Sequence, residues 1–115
     1  MTADPDCLFC RIVAGEIPAD VVGECAEALA FRDVNPQAPT HALVIPRSHH
    51  ADAAALADAE PDALAAMVRL ARDVAGRDGL DDYRLVFNTG ADAGQTVFHA
   101  HLHLLGGRAM TWPPG

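Results

Sequence analysis

The stretch Val97-Phe98-His99-Ala100-His101-Leu102-His103-Leu104-Leu105 alternates histidine with apolar residues through its centre. Alternation with a period of two is the pattern of a β-strand, whose successive side chains point to opposite faces. His99, His101 and His103 are thus predicted on one face. Phe98, Ala100, Leu102 and Leu104 are predicted on the other, buried against a helix. Three imidazoles in a row are costly to desolvate unless something uses them. Two uses compete. The three could share a metal ion, or one could be a nucleophile whose neighbours hold its tautomer and donate to an oxyanion. Alternate side chains on a strand lie roughly 7 Å apart, which is wide for ligands whose bonds to zinc are about 2 Å. That spacing suits groups arrayed along a phosphate chain, which favours the second use for His101 and His103.

Outward from this segment, residues 96–105 read as the longest strand, preceded by a glycine-rich turn over 88–95 and a strand over 84–87. One long helix is predicted over 58–76, with Asp58 as N-cap and Pro61 in the first turn. Leu64, Met67, Val68, Ala71 and Val74 recur at helical spacing and define its buried stripe. A short helix over 7–14 places Leu8 and Ile12 on one face and stops at Gly15. Strands are predicted over 21–23, 28–32 and 41–45. The prolines of Asn35-Pro36-Gln37-Ala38-Pro39 exclude regular structure between the last two. Hairpin-length connections imply an α+β domain over 1–115: an antiparallel sheet of about five strands, with one long and one short helix packed on one face.

The chain has 115 residues, enough for one core, and a net charge of −8 carried against eight arginines and no lysine. That charge excludes a sequence-blind nucleic-acid binder, which needs a basic face. A single nucleotide is still compatible, because backbone amides and a few side chains can hold a phosphate. Residues 1–6 are polar and acidic, unlike a signal peptide, and no run approaches the roughly 20 apolar residues of a membrane span. Three cysteines make no disulfide framework. These features predict a cytoplasmic protein that binds neither nucleic acid nor membrane.

The segment His99-Ala100-His101-Leu102-His103-Leu104-Leu105 resembles the signature of the histidine triad superfamily. Asp33-Val34-Asn35-Pro36-Gln37-Ala38-Pro39-Thr40-His41 is similar to that family's nucleoside pocket. Asn88-Thr89-Gly90 and Gly94-Gln95-Thr96-Val97 are similar to its phosphate-binding turn. The ending Trp112-Pro113-Pro114-Gly115 resembles the Hint branch, the purine nucleoside phosphoramidases. The resemblance implies a homodimeric hydrolase of adenosine or guanosine 5′-phosphoramidates that works through a covalent nucleotidyl-histidine on His101. It implies that His103 donates to a non-bridging oxygen or the leaving group, and that amides around Gly94, Gln95 and Thr96, with Asn88, face the phosphate. Asp33 would accept from the ribose hydroxyls, with His41 beside the site. Thr96 stands where the Hint pattern has serine and keeps the hydroxyl. Trp112 would belong to a tail that selects the leaving group near the partner subunit's site. The alternatives are cleavage of dinucleoside polyphosphates, as in another branch, and a non-catalytic nucleotide-sensing or scaffold protein.

Cys7-Leu8-Phe9-Cys10 has a spacing that lets two thiolates reach one zinc, although two core cysteines would read the same. A thioredoxin-like pair fits less well, because no strand precedes it. Some bacterial histidine triad proteins hold zinc through residues matching Cys7, Cys10, His49 and His99, and the resemblance implies that set here. Such a zinc would leave His101 and His103 free for chemistry.

Overall fold

The computed structural model describes residues 3–115. Its elements run α1 (Leu8–Val13), β1 (Val21–Glu24), β2 (Ala28–Arg32), β3 (Thr40–Pro46), α2 (Ala53–Ala59), α3 (Pro61–Arg77), β4 (Tyr83–Phe87) and β5 (Leu102–Gly106), with a 3-10 turn at Ala91–Ala93. All five strands form one antiparallel sheet in the order β1-β2-β3-β5-β4. The α+β class and the five strands agree with the sequence reading.

β2 and β3 are apolar on both faces, so the sheet is covered on both. Ala28, Ala30, Ala42 and Val44 meet Met67, Leu70, Ala71 and Val74 of α3, and these small strand residues let the helix lie close. On the opposite face Leu29, Phe31, Leu43 and Ile45 pack with Phe9 and Cys10 of α1. The expectation of helices on one face is therefore corrected: α1 lies across the sheet from α3. The pattern at β2 and β3 was the available signal, since neither strand has a polar face.

Three helices form, where one long and one short were expected. Asp52 caps α2 through its carboxylate, which accepts from the Ala55 N–H at 2.9 Å, so Asp58 falls inside α2 and is not an N-cap. Pro61 then opens α3 at a position where its missing N–H is harmless. At the far end Gly79, with φ +76°, closes α3. The Leu80 N–H bonds to the Ala75 carbonyl, and the Gly79 N–H to that of Gly76. Asp78 at that end accepts two bonds from Arg32, at 2.6 and 2.9 Å, and one from the Thr40 hydroxyl at 2.8 Å, joining α3 to β2 and β3. Three residues expected inside are exposed: Val68, Leu8 and Phe98. Val68 lies at the edge of the α3 stripe, while Leu8 and Phe98 sit near the open face that carries the histidines.

The main correction concerns β5, which begins at Leu102 and not at Thr96. Continuing the β3–β5 register from Val44↔Leu102 would set Ala100 opposite Pro46. Pro46 has no N–H to donate, so the ladder ends there. The Ala100 N–H instead donates to the His50 carbonyl at 2.7 Å.

Candidate functional site

The segment 96–101 is held by side chains and loops, and this places the three histidines in different surroundings. The His99 ring is fully buried and turned toward α1. Its Nε2 lies 2.9 Å from the Pro46 carbonyl. A carbonyl only accepts, so Nε2 carries the proton and Nδ1 presents a lone pair. That lone pair is 3.4 Å from Cys7 Sγ, 3.5 Å from Cys10 Sγ and 3.3 Å from His49 Nδ1. Cys10 Sγ is in turn 3.4 Å from His49 Nδ1. A tetrahedral zinc with bonds of about 2.3 Å to sulfur and 2.0–2.1 Å to nitrogen has S···N edges of about 3.5 Å and N···N edges of about 3.3 Å. The four residues fit such an ion, and the Pro46 carbonyl supplies the outer hydrogen bond that orients a ligating imidazole. Burial pushes His99 down to about 4, which keeps it neutral, and burial pushes the Cys10 thiol up, so a thiolate here calls for a cation. His50, adjacent to His49, turns away and bonds to Glu60.

His101 has the opposite arrangement. Its Nδ1 donates to the His99 carbonyl at 2.9 Å, which leaves Nε2 unprotonated. Phe9 meets the ring edge-to-face, with centroids 5.1 Å apart. The Nε2 lone pair of a neutral imidazole held in this way is a nucleophile that needs no separate base.

His103, on β5, ends a chain of fixed tautomers. The Gln37 amide N–H donates to His41 Nδ1 at 3.0 Å, so His41 carries its proton on Nε2. That proton faces His103 Nδ1 at 3.0 Å, with Asp33 Oδ2 at 3.3 Å. His103 therefore accepts at Nδ1 and carries its own proton on Nε2. This Nε2 is buried with no hydrogen-bond partner among the described residues. An orphaned buried donor is costly, and an incoming acceptor would relieve it. Asp33, His41 and His103 also lie close enough to suggest a metal. The Gln37 amide argues against one, because it occupies the His41 lone pair and leaves a proton where a ligand atom would have to be.

Burial, reinforced by His101 and His41, lowers His103 to about 4. Above about pH 6.5, the ordinary histidine value, the ring is neutral folded and unfolded, and stability from this group is complete. As the pH falls from there toward 4, the unfolded chain takes up a proton that the folded one refuses, so stability declines. The slope from one such proton is about 1.4 kcal/mol per pH unit. His103→Gln is expected to flatten the urea-unfolding free energy by about that slope between roughly pH 4.5 and 6. An unchanged slope would show that His103 is not buried neutral.

His101 and His103 border a cleft of about 590 Å³ whose lining includes Phe9, Ile12, Phe31 and Leu43, with Asp33 and Thr96 on its wall. These apolar walls escaped the sequence reading, because in sequence they look like core. The Gln37 amide escaped too, since a backbone donor leaves no mark on residue type. In the turn before Thr96, the amides of Gly94 and Gln95 are occupied by the carbonyls of Ala91 and Gly90. The Gln95 side chain accepts from Gly90 N–H at 2.9 Å and donates to the carbonyls of Ala51 and Val97 at 2.7 and 3.0 Å. Gln95 thus braces the turn, and of the three expected phosphate-facing amides only Thr96's has no partner among the described residues. Gly94 sits at φ +96°, and a Cβ there would come 3.7 Å from the Asn88 amide, so Asn88 lies against the turn. Trp112 stands apart on the tail, 84% exposed in the single chain.

These features define a class of protein: an α+β domain with a histidine-lined cleft beside a separate Cys2His2 cluster. The HIT domain family model matches residues 14–110, and the chain belongs to that family. It is 47% identical to the "14 kDa zinc-binding protein" of Zea mays, over 97% of this chain and 90% of that one. A HIT-like protein of Synechococcus elongatus is 51% identical, over 96% and 97% of the two chains. Among solved structures, a HIT family hydrolase from Legionella pneumophila Philadelphia 1 superposes with a TM-score of 0.90 at 54% identity, covering 96% of this chain and all of that one. A HIT family hydrolase from Clostridium thermocellum also gives a TM-score of 0.90, at 39% identity, over 95% and 96% of the chains.

Proposed function

We propose that this protein hydrolyses purine nucleoside 5′-phosphoramidates through a nucleotidyl intermediate on His101. The observation that carries the reading is the pairing of the His101 Nε2 lone pair with the unpartnered His103 Nε2–H at one cleft. The base would lie between Phe9, Phe31 and Leu43, and the ribose hydroxyls would donate to Asp33. His101 Nε2 attacks the α-phosphorus as the P–N bond breaks, and the leaving amine takes up a proton from solvent water, which is balanced by the proton that the hydrolytic water gives up in the second step. His103 donates to a non-bridging oxygen on which charge builds, joined by the Thr96 amide. Water then cleaves the phosphorus–His101 bond and releases the nucleoside monophosphate.

Thr96 also lines an adjoining hollow of about 410 Å³, with Leu8 and Phe98, where the amine would leave. Cys7, Cys10, His49 and His99 would hold zinc, which supplies a structural crosslink between α1, the loop after β3 and segment 96–101. The likeness to the zinc-binding protein of Zea mays supports that reading. We assign the protein to the cytoplasm, in keeping with cysteines that form no disulfide among the described residues, and to a homodimer in which Trp112 would find a partner surface and the tail would shape amine selection. The test is an acid-quenched reaction with adenosine 5′-monophosphoramidate followed by intact-mass analysis. A chain carrying one adenylate at His101 is expected. Failure to find either the adduct or turnover, with guanosine and adenosine substrates alike, would overturn the proposal.

A further inference from the structure

The loop 34–39 delivers the Gln37 amide to His41. Its internal bonds run from Asn35 N–H to Asp33, from the Gln37 side chain to the Asn35 carbonyl and from Gln37 N–H to His41. Among the described residues, the one hydrogen bond entering the loop from beyond residues 33–41 is from Arg108 Nε to the Gln37 carbonyl, at 3.0 Å. Beside it, Gly107 turns at φ +90° so closely over Pro39 that a Cβ there would stand 2.9 Å from the proline Cβ. From these two contacts we infer that Gly107 and Arg108 are positioning residues that hold the Gln37 amide on His41 and so set the tautomer of His103.

The inference rests on the function proposed above for His103. If the Gln37 amide withdraws, His41 can carry its proton on Nδ1 and offer a lone pair at Nε2. His103 must then donate from Nδ1 to His41, and its Nε2 becomes an acceptor. A proton moves between the two nitrogens of each ring, no charge is created, and the donor facing the cleft is lost. An acceptor there would face the phosphate oxygen lone pair to lone pair. The end of β5 thereby controls the site without touching it. The same segment leads into the tail, with Arg84 holding the Thr111 carbonyl at 2.9 Å.

The test compares wild type, Arg108→Ala, Arg108→Lys and Gly107→Ala by 15N NMR of the histidine side chains in the resting protein, without substrate. Wild type should show His41 and His103 protonated at Nε2. Arg108→Ala should shift both rings toward the Nδ1-protonated pattern and lower kcat several-fold while KM changes less than twofold. Arg108→Lys, which can still donate to Gln37, should restore both. Gly107→Ala should act like Arg108→Ala or more strongly. Because Arg108 is exposed, its alanine variant is expected to fold, and it decides the matter if Gly107→Ala does not. Wild-type tautomers in Arg108→Ala would overturn the inference. Wild-type protein with the expected tautomers and their loss in Arg108→Ala, but no phosphoramidate turnover, would sustain the clamp and remove the proposed reaction.

Discussion

Replacing His101 by alanine is expected to lower kcat for a nucleoside phosphoramidate on the order of 10⁴-fold or more, with the chain still folded. The size follows from the role. A nucleophile that forms the intermediate has no substitute in the cleft, because His103 presents a proton and not a lone pair. His41 likewise has its Nδ1 occupied by the Gln37 amide. The fold should survive because, among the described residues, the His101 side chain makes one hydrogen bond, to the His99 carbonyl, and its removal leaves the β3–β5 ladder from Leu102 onward untouched. Stopped-turnover assays and circular dichroism on the same preparation check both halves. Retention of more than about a tenth of wild-type kcat would show that His101 is not the nucleophile, since a direct attack by water loses most of the gain from a held nucleophile.

The second large effect is expected at the Cys2His2 cluster. Protein purified without added metal should contain about one zinc per chain, and Cys10→Ser should lose it. The loss should cost about 2–3 kcal/mol and lower Tm by about 10–15 °C, because a structural metal contributes directly to folding. Geometry supports the magnitude. The cluster joins α1 to the loop after β3 and to segment 96–101, and that segment lacks ladder bonds of its own. Elemental analysis and thermal unfolding in parallel test the assignment. A metal-free wild type whose Tm matches Cys10→Ser would reduce Cys7 and Cys10 to core cysteines.

The two expectations are linked through His99. Its ring faces the cysteines while its carbonyl accepts the His101 Nδ1–H, so one residue serves both the cluster and the nucleophile. The strand pattern alone placed His99, His101 and His103 on a common face. Ending β5 at Leu102 breaks that equivalence and sends His99 into the interior. The cause is Pro46, which has no N–H to give to the ladder where Ala100 would face it. Its effect on the neighbouring strand depended on register, which a single strand does not reveal.

What the sequence by itself determined is local in origin. The alternation of Leu102, His103 and Leu104 specifies a strand with one apolar face, and Pro61 specifies a helix start. The Cys7–Cys10 spacing on one helical turn brings two sulfurs together. The order of apolar segments specifies an antiparallel α+β domain. These follow from backbone periodicity and steric limits acting within a few residues. Only the tertiary structure decided which nitrogen of each histidine bears a proton and that β5 begins at Leu102, which parts His99 from His101 and His103. A ring's tautomer is set by whatever donor or acceptor stands across from it, and that group is often remote in the chain. His41 and His103 are 62 residues apart, and His49 and His99 are 50. Their partnership is a matter of strand register and loop closure, and the decisive donor at Gln37 is a backbone amide that every residue except proline possesses.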